Sequence, residues 1–328
     1  MKTLPQLPAT LALATATALQ LLGPVQAQGQ TPSRFNSIGI LTNREVWFNV
    51  SNAPVRVDAA TSLGNWQPLV TFTPTASSIT FTDTAAAYLE QRYYRAESVN
   101  VTNLSGDHLI TEDGDVVIRP VNHASLVLRW KDKTIYNDPV NGGTPYTGMP
   151  RADLILVSHA HGDHFSSSTI DAVRGPNAII IAPPVISNSL SVAQRAITIF
   201  LTNGATATAH GMTIDAVPAY NLTTMNHLKG VGNGYVLTIA GRRLFFSGDT
   251  EDVPEIRALR NIDVAFLCMN IPFTMPVDKA ASTIRDMRPK VVYPYHYRNG
   301  DQTLADLNDF KRRVGRDLGI EVRFRRWY

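Results

Sequence analysis

Three histidines and one aspartate lie close together in the sequence SHAHGDHF, residues 158–165. The whole chain has only 8 histidines, so this density is not expected of an ordinary solvated loop. Imidazole and carboxylate side chains placed side by side suit a metal ion. The segment is therefore the first candidate for a catalytic site.

The spacing inside this segment indicates how the side chains could converge. His159 and His161 are two residues apart, so an extended backbone would point both in the same direction. Gly162 then permits a sharp turn before Asp163 and His164. From the residues alone, the four side chains could form one mononuclear site or contribute to two sites.

Two further polar residues follow apolar segments elsewhere in the chain. Asp249 is the fifth residue of the segment FFSGDT, and His296 lies in the segment VVYPYHY. Both positions are typical of loops that begin where a buried strand ends. Ligands placed at the ends of strands in a rigid sheet are what a catalytic metal site needs.

Composition narrows the class of protein. The chain has 328 residues with 44% hydrophobic and 17% charged residues, which is typical of a packed globular protein of more than one domain. A formal net charge of +3 does not indicate nucleic-acid or membrane-surface binding. Cys268 is the only cysteine, so an intramolecular disulfide is excluded, and its apolar neighbours predict a core residue. His108 and His210 are expected at the surface.

The N-terminus has the pattern of a secretory signal peptide. Residues 1–27 contain one basic residue, Lys2, then a chargeless stretch rich in Leu and Ala that ends in Val25-Gln26-Ala27. This pattern predicts a periplasmic or secreted bacterial protein. Beyond it no apolar run reaches about 18 residues, so no membrane span is expected.

The remaining chain is predicted to contain two domains. Short alternating segments separated by turn residues indicate a small all-β, immunoglobulin-like sandwich over residues 35–105. From residue 106 to 328, strands come first and then alternate with helices, which indicates layered α/β structure. A helix is expected at 277–288, a helix ending at Gly175, a hairpin around Gly241, and a last helix with Leu304 facing inward.

Four segments together resemble the metallo-β-lactamase superfamily. They are SHAHGDH, the preceding NDP at 137–139, FSGDT, and YPYHY near the end. The resemblance covers residues 106–328. Within the superfamily, GYVLTIAGRRLFFSGDT, FTM at 273–275 and PKVVYPYHY are similar to the branch that contains ascorbate-phosphate lactonases and N-acyl-phosphatidylethanolamine phospholipases.

This resemblance implies an αββα sandwich that binds two divalent metal ions. Zn²⁺ is the expected metal, and Mn²⁺ or Fe²⁺ are the alternatives. It assigns His159 and His161 to the first metal and Asp249 to both. The implied ligands of the second metal are Asp163, His164 and His296. Two further residues would contact the ligands without binding metal: Asp138 would brace the histidine loop, and His123 would lie beside the pocket.

One departure from the superfamily pattern concerns the first metal. The superfamily usually has another histidine before the GYVL hairpin, and this chain has Tyr220-Asn221 there. His227 is the nearest histidine, and it could bind metal, contact substrate or do neither. Asn221 or water could fill the position instead.

The implied activity is hydrolysis of an ester-type bond, in a lactone, phosphodiester or related compound, by a metal-bound hydroxide. Asp163 would orient that hydroxide or accept its proton. The expected partner is a small-molecule or lipid-like ester. Two alternatives stay open at this point: a catalytically weak binding protein that acts through its β-sandwich, and a di-iron redox protein of the same fold. The sequence does not indicate an oligomeric state.

Overall fold

The computed structural model describes residues 11–15, 19–22, 35–50, 54–73, 78–99 and 104–328. The predicted signal peptide lies mostly outside these residues and stays a prediction. The chain divides into two compact units. The first contains Met1–Ile110 and Asp115–Ile118, and the second contains Thr111–Gly114 and Arg119–Tyr328.

The described residues of the first unit form mainly β-strands. The strands are β1 (Leu11–Thr15), β2 (Leu19–Leu22), β3 (Phe35–Ile40), β4 (Val46–Val50), β5 (Val55–Ala60), β6 (Gln67–Phe72), β7 (Ile79–Asp83), β8 (Gln91–Ser98) and β9 (Gly106–Thr111). Within the parts of this unit that the structure describes, a 3₁₀ turn at Ala85–Tyr88 interrupts the strands, and it was not expected from the sequence. Residues 106–110 of strand β9 belong to this unit, and Thr111 at its end belongs to the second.

Two antiparallel sheets share one apolar core in this unit. One sheet has the order β3-β4-β7, and the other contains β6-β5-β8-β1-β2, with β9 on the free edge of β6. In β4 the alternation of buried Val46, Phe48 and Val50 with half-buried residues puts one face of the strand into the core. Phe48 stacks on Phe81 with ring centroids 5.2 Å apart, and fully buried Tyr94 belongs to the same cluster.

The second unit combines strands and helices. Its strands are β10 (Gly114–Asn122, whose middle belongs to the first unit), β11 (Ser125–Trp130), β12 (Lys133–Asn137), β13 (Ala152–Leu156), β14 (Arg174–Ala182), β15 (Thr198–Phe200), β16 (Thr206–Ala209), β17 (Met212–Ala219), β18 (Gly232–Ile239), β19 (Arg242–Phe246), β20 (Val264–Cys268), β21 (Val291–Tyr295) and β22 (Glu321–Val322). Its helices are α1 (Ser167–Val173), α2 (Val192–Ala196), α3 (Pro254–Arg257), α4 (Val277–Met287) and α5 (Leu307–Val314), with 3₁₀ turns at Thr144–Tyr146 and Pro184–Ser189.

These strands form two mixed sheets. One follows the order β15-β14-β13-β12-β11-β10, and the other runs β16-β17-β18-β19-β20-β21-β22. Strands β12 to β15 are parallel to one another, and so are β19 to β22. Because the carboxyl ends of parallel strands open at the same sheet edge, loops after β12, β13, β19 and β21 can supply one site.

Several predicted elements are present. The hairpin of β18 and β19 turns at Gly241, whose φ of 77° favours glycine. Helix α4 buries Ala280, Ala281, Ile284 and Met287 on one face, as the periodicity predicts.

Two boundary predictions were wrong. Helix α1 ends at Val173 and the chain passes directly into β14, so Gly175 lies inside a strand. Leu304 lies before α5 and is 53% exposed, because the side chain of Asp306 accepts a hydrogen bond from the Asp309 N–H and starts the helix there.

Three other expectations concern single side chains and membrane spans. Cys268 is buried, as predicted. His108 is wrongly expected at the surface: its side chain is 8% exposed and contacts Thr71 and Asp115. Among the helices of the described residues, none has the length and apolar character needed to cross a membrane.

Candidate metal centre

The segment 158–165, called the histidine loop, follows strand β13. The loop turns where the N–H groups of His164 and Phe165 both donate to the carbonyl of His161, at 3.0 and 2.8 Å. It ends at Ser166, whose side chain accepts a hydrogen bond from the Thr169 N–H and begins α1. The loop is therefore held at one end by a strand of the sheet and at the other by a capped helix.

Asp138 fixes this loop from the end of the neighbouring strand β12. Its Oδ1 accepts from the Ser158 N–H at 2.7 Å, and its Oδ2 accepts from the Ser158 hydroxyl at 2.8 Å. The same Oδ2 lies 2.8 Å from Nδ1 of His164. A carboxylate that accepts the Nδ1 proton directs Nε2 of the ring towards the centre of the site, as in many metal sites.

His159, His161 and His227 form the first group of converging side chains. One ligand atom from each lies within 4.8 Å of the others. Nε2 of His159 is 3.1 Å from Nδ1 of His161, and both rings are 5.0 Å from the ring of His227. The structure thus places His227, from the loop between β17 and β18, where the sequence left the position open.

Asn221 contacts this group through His227. Its Oδ1 lies 2.5 Å from Nδ1 of His227, whereas Nε2 of the same ring lies 3.3 Å from Asp249. Its Nδ2 donates to the carbonyl of Phe273 at 2.9 Å. Asn221 therefore contacts the His227 ring, and it is the imidazole of His227 that lies with those of His159 and His161.

Asp163, His164 and His296 form a second group on the same geometric criterion. Oδ2 of Asp163 is 3.2 Å from Nε2 of His296, and 44% of the Asp163 side chain is exposed. His296 follows β21 with a φ of 45°, so the chain turns at this residue. The three side chains come from loops after β13 and β21, one in each sheet.

Asp249 lies between the two groups. Its Oδ2 is 3.3 Å from Nε2 of His227, and its Oδ1 is 3.2 Å from Nε2 of His164. The preceding Gly248 has a φ of 58°, and a side chain there would come within 2.9 Å of the Asn233 carbonyl and 3.0 Å of Ser158. Glycine is thus required for Asp249 to approach the histidine loop.

The charges of the site are strongly coupled. Burial, and then the neighbouring His164, lower the pKa of His159 well below its ordinary value, so its imidazole is neutral. Burial alone would lower the pKa of His164 as well, but Asp249 and Asp138 outweigh it and raise that pKa. Burial opposes ionisation of Asp163 and Asp249, yet the facing histidines lower both pKa values. The carboxylates therefore require a positive charge beside them.

The fit to metal ions is shown by the buried atoms that lack a hydrogen-bond partner. Most buried polar atoms in proteins have one. Among the described residues, the exceptions include Nε2 of His164, His227 and His296, and Oδ1 of Asp249. These atoms belong to the two groups and to the carboxylate between them. Imidazole nitrogens and carboxylate oxygens that converge without partners suit divalent cations.

His123 lies beside the site without joining either group. Its ring centroid is 5.1 Å from that of His296, and its Nδ1 is 3.1 Å from the hydroxyl of Tyr328. Burial, followed by the neighbouring His296, lowers the pKa of His123 to about 4, so this imidazole is neutral near pH 7. Tyr328 was not singled out from the sequence, because only the fold brings it close to His123.

Glu251 was also missed. It is buried two residues after Asp249 and accepts hydrogen bonds from the loop that carries His227. A glutamate directly after the FSGDT segment was the only available indication, since its partners are 28 to 30 positions away along the chain.

The profile of the family described as beta-lactamase superfamily domain matches residues 117–296 of this chain. Among curated proteins, a UPF0173 metal-dependent hydrolase of Thermococcus kodakarensis is 30% identical over 210 residues, which cover 61% of this chain and 92% of the relative. A UPF0173 metal-dependent hydrolase of Thermus thermophilus is 29% identical over 214 residues, 63% of this chain and 94% of the relative.

Solved structures give the same result. A crystal structure from Parabacteroides distasonis, assigned as a metal-dependent hydrolase, is 39% identical with a TM-score of 0.60, and the match covers 67% of this chain and 97% of that one. Igni18, a metallo hydrolase of Ignicoccus hospitalis, is 24% identical with a TM-score of 0.54 over 63% of this chain and 94% of its own, a likeness of fold. The chain belongs to the metallo-β-lactamase superfamily and is a metal-dependent hydrolase of that fold.

Proposed function

We propose that this hydrolase cleaves an ester-type bond and that the two groups of side chains that meet at Asp249 would each hold a divalent cation. The observation that carries the proposal is the orientation of that carboxylate. Its Oδ2 faces His227 of the first group, while its Oδ1 faces His164 of the second. A carboxylate presented in this way can bridge two cations, which the superfamily resemblance also implies.

The proposed first cation would be held by His159, His161 and His227, and the second by Asp163, His164 and His296. When bound, such a pair lowers the pKa of water and polarises the oxygen atoms of an ester or phosphoester. Three imidazoles in the first group favour Zn²⁺, with Mn²⁺ or Fe²⁺ as alternatives.

Asp163 is the more exposed of the two carboxylates that face the imidazoles of the site. Burial opposes ionisation of Asp163, but the facing His296 and His164 outweigh it and lower its pKa, so the side chain is an ionised carboxylate. Its partial exposure lets it reach solvent. We propose that a carboxylate oxygen of Asp163 orients the attacking water and accepts its proton. Burial raises the pKa of the Cys268 thiol to about 12, so this residue does not serve as a nucleophile.

The ester class is tested with the full chain after its metal content has been measured. Metal analysis should give two bound cations per chain, and the loaded protein should hydrolyse at least one of a panel of lactones, aryl esters and phosphodiesters, with acyl amides turned over more slowly. Removal of metal by a chelator should stop turnover, and Zn²⁺ should restore it. Two bound metals with cleavage of amides only would contradict the ester class, and one tightly bound metal in an active protein would contradict the bridged pair.

Export and the class of the first unit complete the proposal. We propose that residues 1–27 direct the chain to the periplasm or the medium and that the two-sheet unit is immunoglobulin-like. N-terminal sequencing of the protein made in a bacterial host should find Gln28 as the first residue. A mature protein that retains Met1 would contradict export by cleavage.

A further inference from the structure

Glu251 is a buried carboxylate whose partners all come from one short segment. It is 5% exposed. Its Oε1 accepts from the Thr223 hydroxyl at 2.7 Å and from Nδ2 of Asn221 at 3.2 Å. Its Oε2 accepts from the N–H groups of Leu222 and Thr223, each at 3.1 Å. Three consecutive residues therefore wrap around one side chain.

These hydrogen bonds fix the orientation of the Asn221 amide. Because Nδ2 donates to Glu251 and to the Phe273 carbonyl, Oδ1 must face the other way. There it meets Nδ1 of His227 at 2.5 Å. An amide oxygen can only accept, so Nδ1 carries a proton, and in the neutral ring Nε2 then keeps its lone pair.

The atom that carries this lone pair, Nε2, is turned towards the site. Nε2 of His227 has no hydrogen-bond partner among the described residues and lies 3.3 Å from Oδ2 of Asp249. Glu251 comes two residues after Asp249, so the loop after strand β19 supplies the central carboxylate and also holds the loop that carries His227. The hydrogen bond from the Glu251 N–H to the Tyr220 carbonyl, at 2.9 Å, fastens the start of the same loop.

We propose that Glu251 is a positioning residue that acts through Asn221 to set the tautomer and direction of His227. The inference rests on the proposed metal role of His227 and extends it to a residue that contacts neither that metal group nor the imidazole. Glu251 thereby determines the affinity of the first site while leaving the second unchanged.

The first experiment compares Glu251→Gln with Glu255→Gln. Glutamine keeps the size of Glu251 but turns an amide donor towards the N–H groups of Leu222 and Thr223. Glu255 contacts both ends of the same loop, through Tyr220 and Lys229, and does not contact Asn221, so it is a matched control.

Zn²⁺ affinity is measured by competition with a chromophoric chelator, after circular dichroism shows that both variants are folded. Loss of a residue that orients a ligand typically weakens binding about 10–100-fold. We expect that loss at one of two sites in Glu251→Gln and wild-type affinity at both sites in Glu255→Gln. Wild-type binding by Glu251→Gln, or an equal loss at both sites, would overturn the proposal.

A double-mutant cycle distinguishes positioning from a general loss of stability. If Glu251 acts through His227, the variant His227→Ala and the double variant His227→Ala/Glu251→Gln should bind the first Zn²⁺ equally weakly. Losses that add would show that Glu251 acts independently of His227 and would refute the inference.

The last measurement is made without metal, so its outcome does not depend on the proposed hydrolysis. Nitrogen-15 NMR of the metal-free protein should show the Nδ1–H tautomer of His227 in the wild type and a mixture in Glu251→Gln. The same tautomer in both proteins would contradict the positioning role. A tautomer change in a protein that binds no Zn²⁺ would support the orienting role of Glu251 and instead contradict the proposed function.

Discussion

Both units bury aspartates, but they surround them differently. In the first unit, Asp58 is almost fully buried and pairs with Arg56 at 2.6 Å and Arg95 at 2.7 Å. Asp83 pairs with Arg92 at 3.0 Å and accepts from the hydroxyl of Tyr94 at 2.9 Å. In the second unit, Asp249 has no guanidinium beside it among the described ion pairs, and its neighbours are imidazoles.

The difference separates structural carboxylates from functional ones. Arginine is always charged and presents several donors, so it satisfies a buried carboxylate permanently. Imidazole satisfies it only when protonated, and a neutral imidazole leaves a lone pair beside the carboxylate. A buried aspartate among histidines with partnerless nitrogens therefore indicates a cation site, whereas burial alone does not.

The strongest test of this contrast is Asp249→Ala. Because each of its oxygens faces a different ligand group, its removal should reduce bound metal to about one or fewer per chain and abolish turnover. Metal analysis and ester hydrolysis check this. Two retained metals with full activity would show that Asp249 does not connect the groups.

A smaller loss is expected from His296→Ala, which removes one member of the second group only. The first group, His159, His161 and His227, remains intact. We expect one tightly bound Zn²⁺ per chain. Turnover should fall by a larger factor than the loss of about 10–100-fold that is typical of residues that only orient a ligand. Loss of both metals would mean that the groups are not separable.

Asp58→Ala should act on stability alone. It leaves Arg56 and Arg95 with Glu97 as their remaining carboxylate partner. The loss of the buried partner should lower the free energy of unfolding of the first unit by about 1–3 kcal/mol. Urea unfolding followed by tryptophan fluorescence measures this, since Trp47 and Trp66 report on the first unit and Trp130 and Trp327 on the second. Metal content should be that of the wild type, and a loss of metal would contradict the distinction between the two kinds of aspartate.

The smallest effect is expected at Asp115. The hydrogen bond from His108 lowers the pKa of Asp115, against an opposing contribution from burial. A carboxylate with a lowered pKa stabilises the folded state above its unfolded pKa of about 3.9, and that stabilisation is lost as the pH falls through the folded pKa. Asp115→Asn should therefore lower the free energy of unfolding at pH 7. At the lowest pH, the free energies of unfolding of the variant and the wild type should be nearly equal. Urea midpoints of the two metal-free proteins across this range test it, and a constant difference would contradict it.

The sequence predicted the parts of the site that depend on short segments. The loop 158–165 follows a buried strand, and Asp249 and His296 follow others, so apolar runs alone place these residues at sheet edges. His227 was left open because its position depends on hydrogen bonds between Asn221, Phe273 and Glu251, which are distant in sequence.

Contacts that the local sequence pattern does not show also explain the errors outside the site. His108 was expected at the surface because its partners Thr71 and Asp115 lie on other strands. Leu304 fitted the helical periodicity, but the cap formed by Asp306 starts the helix after it. Periodicity indicates which residues are apolar on one side, and local capping decides where an element begins.

The two sheets of the second unit each provide only part of the candidate ligand set. The histidine loop comes from one sheet, and Asp249, His227 and His296 come from the other. An ion bound by both parts would connect sheets that separate on unfolding, and by mass action it would favour the folded state. The unfolding temperature should then rise with the logarithm of free Zn²⁺ concentration, so the thermal stability of this unit would report how much metal its surroundings supply.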